Sequence, residues 1–168
     1  MTLTRRSVVA GGAALALSAC GQRNRFLAYD GPEVTRLQVW KADRRLYLFH
    51  GQQVLEAYDV HLGFTAEGPK RFRGDGRTPE GTYRIDRRNP ASKFHLSLGI
   101  SYPDAHDIAF AIAHGRHPGG DIFIHGDRRF GVDPPGKDWT AGCIALRDRH
   151  VEQVYAMVQL GTPIDIFA

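Results

Sequence analysis

The sequence has 168 residues, of which 42% are hydrophobic and 24% charged, and it carries a formal net charge of +4. This composition is typical of a single globular domain and excludes a disordered, collagen-like or coiled-coil chain. Two cysteines exclude a disulfide-rich scaffold and a multi-cysteine zinc site.

The amino-terminal segment has the pattern of an export signal followed by a tether. An arginine pair precedes an uncharged run that ends at Ala19, and this run is shorter than the about 20 apolar residues that a membrane span needs. We therefore predict a signal peptide over residues 1–19, with the arginine pair similar to a twin-arginine signal. Cys20 ends a Leu-Ser-Ala-Cys stretch that resembles a bacterial lipobox. It predicts a lipidated Cys20 and a tether over 20–33; a plain secretory signal is the alternative.

This segment determines the predicted location and the charge of the remaining chain. Removing residues 1–19 lowers the basic side chains from 22 to 20 against 18 acidic ones. A nearly balanced domain lacks the basic footprint that nucleic-acid binding requires, so no nucleic-acid partner is predicted. The predicted location is the cell envelope or periplasm, with a lipid anchor holding the protein to a membrane.

Three runs with a period of two open the predicted domain, which spans residues 34–168. Val34–Lys41, Arg45–His50 and Val54–Leu62 alternate apolar and polar side chains and are separated by turn residues. This pattern predicts an antiparallel meander. Gly63–Thr78 is rich in glycine and basic residues and is predicted to be a loop. Its basic residues form either a solvated face or a face toward an acidic substrate.

The rest of the chain adds further strands and one helix. Gly81–Asp86 and Asp121–Ile124 are predicted strands, the second buried. An apolar stripe with helical spacing follows Asp148, which is predicted to cap the helix, and Gly161 is predicted to end it. Pro163–Phe167 alternates as a last strand. The predicted fold class is mainly β (α+β), a sandwich or partly closed barrel with one carboxy-terminal helix before the last strand.

If Cys20 carries lipid, Cys143 is the one remaining thiol, and it is either buried and inert or a nucleophile. Thr140-Ala141-Gly142-Cys143 places small residues beside the sulfur. Backbone N–H groups there are suited to an oxyanion hole. A cysteine nucleophile needs a base, and His125, followed by Gly126 at the end of the predicted buried strand, is the candidate.

A zinc site is a second hypothesis for the chemistry. His114 and His117 flank Gly115-Arg116, and Asp104 and His106 lie nearby in the sequence. Imidazole and carboxylate groups are zinc ligands, but this spacing matches no standard zinc motif, and the donors are predicted to lie in loops. A zinc hydrolase therefore stays open as an alternative to a cysteine enzyme.

Together these motifs resemble the YkuD-type L,D-transpeptidases. That family has a His, a spacer and then Ser/Thr-His-Gly-Cys; here 14 residues separate His125 from Thr140-Ala141-Gly142-Cys143. Gly74–Tyr83 is similar to the family segment Gly-Asp-x-x-Thr-Pro-x-Gly-x-Tyr. Asn89-Pro90 and Asp138-Trp139-Thr140 are similar to the YafK-like branch. The resemblance extends over residues 34–168.

Two positions depart from the common family pattern. Ala141 stands where a second His often precedes Gly-Cys, and Ala145 stands where Arg or Asn often follows the Cys. Arg147, two residues further on, is a partial substitute for that side chain. The YafK-like branch is similar to this chain at both departures, which favours that branch over the cross-linking enzymes.

The resemblance implies roles for named residues. Cys143 would be the nucleophile and His125 the general acid and base, while Tyr102 and Arg77 would bind substrate. The residues implied to form or support the oxyanion hole are Gly142, Thr140, Gly126 and Arg147. No metal ion or organic cofactor is implied.

The resemblance also implies a substrate, the peptidoglycan stem peptide, attacked at the carbonyl of its diamino acid to give a Cys thioester. Family members include transpeptidases, L,D-carboxypeptidases and amidases. The alternatives are therefore a hydrolytic member, such as an amidase that releases a wall-attached lipoprotein, and a non-catalytic lipoprotein that binds peptidoglycan.

Overall fold

The computed structural model describes residues 25–127 and 138–168. The predicted signal peptide and Cys20 lie outside the described residues. Within them, no helix is long and apolar enough to cross a membrane. The elements in chain order are β1 (Arg36–Trp40), β2 (Arg45–His50), β3 (Gln53–Asp59), β4 (Gly81–Asn89), β5 (Ser97–Ile100), α1 (Ala105–Ala113), β6 (Phe123–Asp127), β7 (Ile144–Arg147), α2 (Asp148–Met157) and β8 (Pro163–Phe167).

The strands form one sheet in the order β3-β2-β1-β8-β4-β5-β6-β7. Strands β1, β2 and β3 pair antiparallel, which confirms the predicted meander. β8 inserts between β1 and β4, and β7 pairs parallel to β6. The chain after β3 returns to β7, where the His61 and Ala145 backbones exchange two hydrogen bonds of 2.9 and 2.8 Å. The sheet is therefore nearly closed, and the predicted mainly β fold is confirmed.

The core lies inside this curved sheet, where buried side chains from its strands meet. Leu46 and Leu48 of β2 and Ile164 of β8 are fully buried, as the period of two requires. Helix α2 covers β5, β6 and β7 with an apolar stripe that includes Val151 and Val154. It precedes the last strand, as predicted.

The predicted boundaries of α2 need correction. Asp148 is the first helical residue rather than the cap; the N-cap is Arg147, whose side chain makes no capping hydrogen bond. The helix ends at Met157, because Val158 has an extended backbone. Gly161, with φ of +85°, lies in the turn into β8.

Helix α1 and two strands have no counterpart in the sequence-based prediction. α1 buries Ala111 alone and exposes Ile108 and Ile112, so it lacks the apolar stripe from which helices are predicted. A capping box of Asp104 and Asp107 starts it. β5 is buried at all four positions and β7 at three of four, so neither strand alternates.

Candidate active site

A tight turn before β7 holds Cys143. The Thr140 hydroxyl donates to the Cys143 carbonyl oxygen over 2.7 Å and accepts the Gly142 N–H over 3.1 Å. Gly142 has φ of +134°, and a Cβ there would lie 2.6 Å from the Arg77 carbonyl oxygen. A side chain at this position would collide with backbone, so the turn requires glycine.

Strand β6 holds His125, which lies in the middle of the strand rather than at its end as predicted. The ring donates from Nδ1 to the Gly126 carbonyl oxygen over 2.7 Å. A carbonyl oxygen only accepts, so this contact assigns the proton to Nδ1 and leaves the Nε2 lone pair for another donor. The Gly126 N–H in turn donates to the Phe94 carbonyl oxygen over 2.9 Å.

Two aromatic rings enclose the imidazole of His125. The Phe94 ring packs over it with centroids 4.6 Å apart, and the Trp139 ring meets it edge-on at 5.8 Å. The Trp139 indole donates to the buried Asp127 carboxylate over 2.9 Å. Both rings pack against the imidazole, which is buried.

The pairing of β6 with β7 brings Cys143 and His125 together. His125 lies opposite Ala145 in the parallel register. Because side chains alternate along each strand, Cys143 and Ala145 share a face with His125. Cys143 and His125 both line one cavity of about 440 Å³. Its other lining residues are Asn89, Ala91, Ser92, Lys93, Phe94, Ser97, Asp121 and Phe123.

Burial favours the neutral forms of both groups. It raises the pKa of the Cys143 thiol above its ordinary value, an effect that the nearby Asp121 carboxylate reinforces. Burial also lowers the pKa of His125, against opposing contributions from the Gly126 carbonyl and Asp127. A neutral thiol beside a neutral imidazole is suited to proton transfer during attack rather than to a preformed ion pair.

Asp121 and Phe94 are site residues that sequence reasoning missed. The Cys143 thiol donates to the Asp121 carbonyl oxygen over 3.5 Å. Asp121 has φ of +55°, and its exposed carboxylate pairs with Arg87 at 3.2 Å. The Gly119-Gly120-Asp121 run is a turn signal that could have marked this segment. Phe94 carried no local signal, because β5 brings it to the site.

The remaining candidate residues are not among those that line the cavity. Tyr102 is buried, and its hydroxyl donates to the Pro118 carbonyl oxygen over 2.9 Å. Arg77 directs its guanidinium toward Gly68 and presents only backbone to Gly142. Arg147 ends β7 opposite Asp127, and Ala145 is held between its two hydrogen bonds to His61. The structure therefore does not bring the Tyr102 or Arg77 side chains into the cavity.

The residues of the zinc hypothesis have other partners. Asp104 caps α1 and His106 lies within it rather than in a loop. His114 stacks on Phe110 at 4.2 Å, and His117 accepts the Gly119 N–H over 2.9 Å. Across the part of the chain that the structure describes, no three His, Cys, Asp or Glu side chains are grouped to hold a metal ion.

Comparisons with known proteins point to one family. The model of the L,D-transpeptidase catalytic domain, YkuD, matches residues 35–166. YafK of Escherichia coli K12, which is named among the L,D-transpeptidases, is 28% identical over 128 residues, covering 73% of this chain and 46% of YafK.

Solved structures agree with this assignment. The helical cell shape determining protein Pgp2 of Campylobacter jejuni is 26% identical, with a TM-score of 0.61 over 87% of this chain and 51% of Pgp2. An L,D-transpeptidase of Mycobacterium smegmatis shares the fold, with a TM-score of 0.56 at 15% identity over 80% of this chain and 59% of that protein. The chain thus spans about half the length of YafK and Pgp2.

Proposed function

The chain belongs to the YkuD family of L,D-transpeptidase catalytic domains, as its motifs indicated, and we propose that it is a peptidoglycan-modifying cysteine acyltransferase. The observation that carries this proposal is the single cavity that Cys143 and His125 share, with the Nε2 side of the imidazole left for a donor. The similarity to Pgp2 supports a role in the wall remodelling that determines cell shape.

The proposed first step is attack on the stem peptide. His125 Nε2 takes the proton of the Cys143 thiol as Sγ bonds to the carbonyl carbon of the diamino acid. The tetrahedral intermediate collapses, the peptide bond to the next residue breaks, and His125 returns the proton to the leaving amine. A thioester on Cys143 remains, and either an amine or water then takes the acyl group.

The proposed oxyanion donor is the Cys143 N–H. The Gly142 N–H is already directed to the Thr140 hydroxyl, so we assign Gly142 and Thr140 to holding the turn rather than to contacting the oxyanion. Gly126 supports His125 through its carbonyl oxygen. Such fixed donors stabilise the developing charge without reorganising during the reaction.

The charges in the cavity support a diamino-acid substrate. Lys93 and Asp121 line the same cavity as Cys143. A diamino acid within a stem peptide presents a side-chain ammonium group, and the stem peptide around it carries carboxylates, so a cavity lined by one acidic and one basic side chain complements both. We therefore propose that Asp121 faces the ammonium group and Lys93 the carboxylate of the bound stem.

The decisive experiment uses the two cysteines as a matched pair. Cys143→Ala is expected to abolish turnover of soluble stem-peptide fragments, whereas Cys20→Ala retains it. Mass spectrometry of wild-type protein is expected to show an acyl adduct on Cys143. Full turnover by Cys143→Ala would contradict the mechanism, and a Cys143 that iodoacetamide never labels in the folded protein would favour the non-catalytic binder.

The acceptor is identified from the products. Incubation with whole sacculi is expected to yield new cross-links between diamino acids if an amine accepts the acyl group. Trimmed stems would instead identify an L,D-carboxypeptidase, and released lipoprotein would identify an amidase. Either hydrolytic product without cross-links would overturn the acyltransferase assignment while keeping the Cys143 thioester.

We also propose that Cys20 carries the lipid anchor and that the protein acts in the cell envelope. The support is the lipobox-like Leu-Ser-Ala-Cys sequence at the end of the uncharged run. Cys20→Ala is expected to move the protein from the membrane fraction to the soluble fraction of the envelope. Retention in the membrane fraction would contradict lipidation.

A further inference from the structure

A stack of arginines and aromatic rings covers the surface formed by α1 and the basic loop. The Arg116 guanidinium lies 3.9 Å from the Phe72 ring centroid, and the Arg71 guanidinium lies 4.6 Å from that of Phe110. The two phenylalanine rings are 5.9 Å apart. We call this stack, together with the adjacent Arg73, the arginine–aromatic surface.

The arginines of this surface keep their charge for an external partner. Within the described residues, none of the guanidiniums of Arg71, Arg73 and Arg116 forms an ion pair with a carboxylate. By contrast Lys70, in the same loop, is buried and paired with Asp75 at 2.8 Å. The predicted basic loop therefore contains the buried, paired Lys70 as well as Arg71 and Arg73, which pair with no carboxylate among the described residues.

The aromatic rings prepare these guanidiniums for binding. A guanidinium over a ring is held by cation–π attraction and loses little side-chain entropy when it binds. Its planar fork matches a carboxylate with two parallel hydrogen bonds. Several such groups on one surface favour a polymer that carries repeated carboxylates, because linked contacts raise affinity beyond that of each contact.

A short chain segment joins the arginine–aromatic surface to the wall of the cavity. The Arg73 N–H donates to the His117 carbonyl oxygen over 2.7 Å, and a Cβ on Gly119 would lie 3.2 Å from the Arg73 Cα. Asp121, which lines the cavity and accepts the Cys143 thiol, follows four residues after His117. Four residues span at most about 14 Å. Arg73 and the cavity wall therefore lie within the length of an extended peptide of a few residues.

We propose that the arginine–aromatic surface is a docking site for the anionic peptidoglycan strand, binding stem-peptide carboxylates outside the cavity. The inference rests on the proposed function for the identity of the polymer. Proximity to the Cys143 cavity favours the wall polymer over an anionic membrane, because the same strand that supplies the reacting stem contacts both places.

The test measures binding to purified sacculi in the Cys143→Ala background, so that turnover plays no part. The triple variant Arg71→Gln, Arg73→Gln, Arg116→Gln is compared with Arg45→Gln, Arg84→Gln, Arg149→Gln, which removes the same charge from dispersed sites, of which Arg84 and Arg149 are exposed and Arg45 is paired with Asp59. We expect the first triple variant to bind about tenfold more weakly, from the usual strength of exposed ion pairs. Its binding is also expected to depend less on salt.

Several outcomes would overturn the docking site. Equal weakening in both triple variants would assign the effect to net charge. Loss of binding to anionic phospholipid vesicles with unchanged sacculus binding would assign the surface to a membrane. Melting temperatures of both variants control for folding. If wild-type turnover is absent while the surface variant still loses sacculus binding, the proposed catalysis fails and the docking site stands.

Discussion

Two halves of the sheet differ in their backbone conformations and in the polar groups that they bury. In the meander half, formed by β1, β2, β3 and β8, strands β1 and β2 alternate in burial and positive φ angles fall in turns, at Arg44 and Gly51. In the site half, formed by β5, β6 and β7, His95 and Asp121 have positive φ beside the cavity, and buried polar groups surround His125. Unfavourable backbone conformations and buried polar groups are retained where they position the residues of a functional site. The regular half supplies the packing that holds them.

The sharpest test of this division compares two histidines. His125→Ala is expected to lower kcat by about 10²- to 10⁴-fold, the usual contribution of a general base. His50→Ala, at the end of β2 in the meander half, leaves kcat unchanged. Turnover of soluble stem-peptide fragments measures both. Comparable activities of the two variants would contradict the assignment of the chemistry to the site half.

A large effect on stability is expected from the opposite half. Leu48 is fully buried in β2, and Leu48→Ala is expected to lower the free energy of unfolding by about 3 kcal/mol through lost burial and the cavity left behind. Urea denaturation measures the change, and Val54→Ala, on a half-exposed position of β3, is the control. The activity of each folded molecule stays at the wild-type level. A large fall in kcat at saturating substrate would show that the halves are coupled.

Two glycines test whether the site needs close contact between the backbones of Gly126 and Phe94. A Cβ on Gly126 would lie 2.8 Å from the Phe94 carbonyl oxygen, whereas a Cβ on Gly51 meets nothing within 4 Å. Gly126→Ala is expected to displace Phe94 from His125 and lower kcat about tenfold. Gly51→Ala costs about 1 kcal/mol of stability because of its positive φ and leaves kcat unchanged. Enzyme assays and thermal melts of both variants distinguish the effects.

Whether an element buries only one face explains which elements could be predicted from the sequence. Alternation identified β2 at its observed bounds, and the apolar stripe identified α2, because both elements present one face to the core. β5 and α1 lack that signature, since one is buried throughout and the other is largely exposed.

At the site, motif spacing paired Cys143 with His125, and both residues line one cavity in the structure. Phe94 and the Asp121 carbonyl could not be found in this way, because strand pairing, rather than local sequence, brings them to these two residues. Tyr102 and Arg77 are the opposite case, because both lie in segments similar to the family pattern but outside the cavity. Tyr102 contributes a buried hydroxyl to the fold, and Arg77 contributes its backbone.

The smallest expected effect is a pH dependence of stability that belongs to the site half. Burial lowers the pKa of His125 below its ordinary value of 6.5. As the pH falls below 6.5, the unfolded chain binds a proton that the folded protein does not, so stability decreases until the folded-state pKa is passed. His150 of α2, whose pKa burial also lowers, contributes in the same direction.

Thermal melts between pH 7.5 and 5 measure this loss in the wild type and in His125→Gln. The variant is expected to lose less stability over that range, because one of the two imidazoles whose pKa burial lowers is gone. An unchanged slope in His125→Gln would mean that His125 accepts a proton without penalty in the folded protein. The imidazole would then be solvated, contrary to its enclosure by Phe94 and Trp139, and the site half would lose the dry environment on which the proposed proton transfer depends.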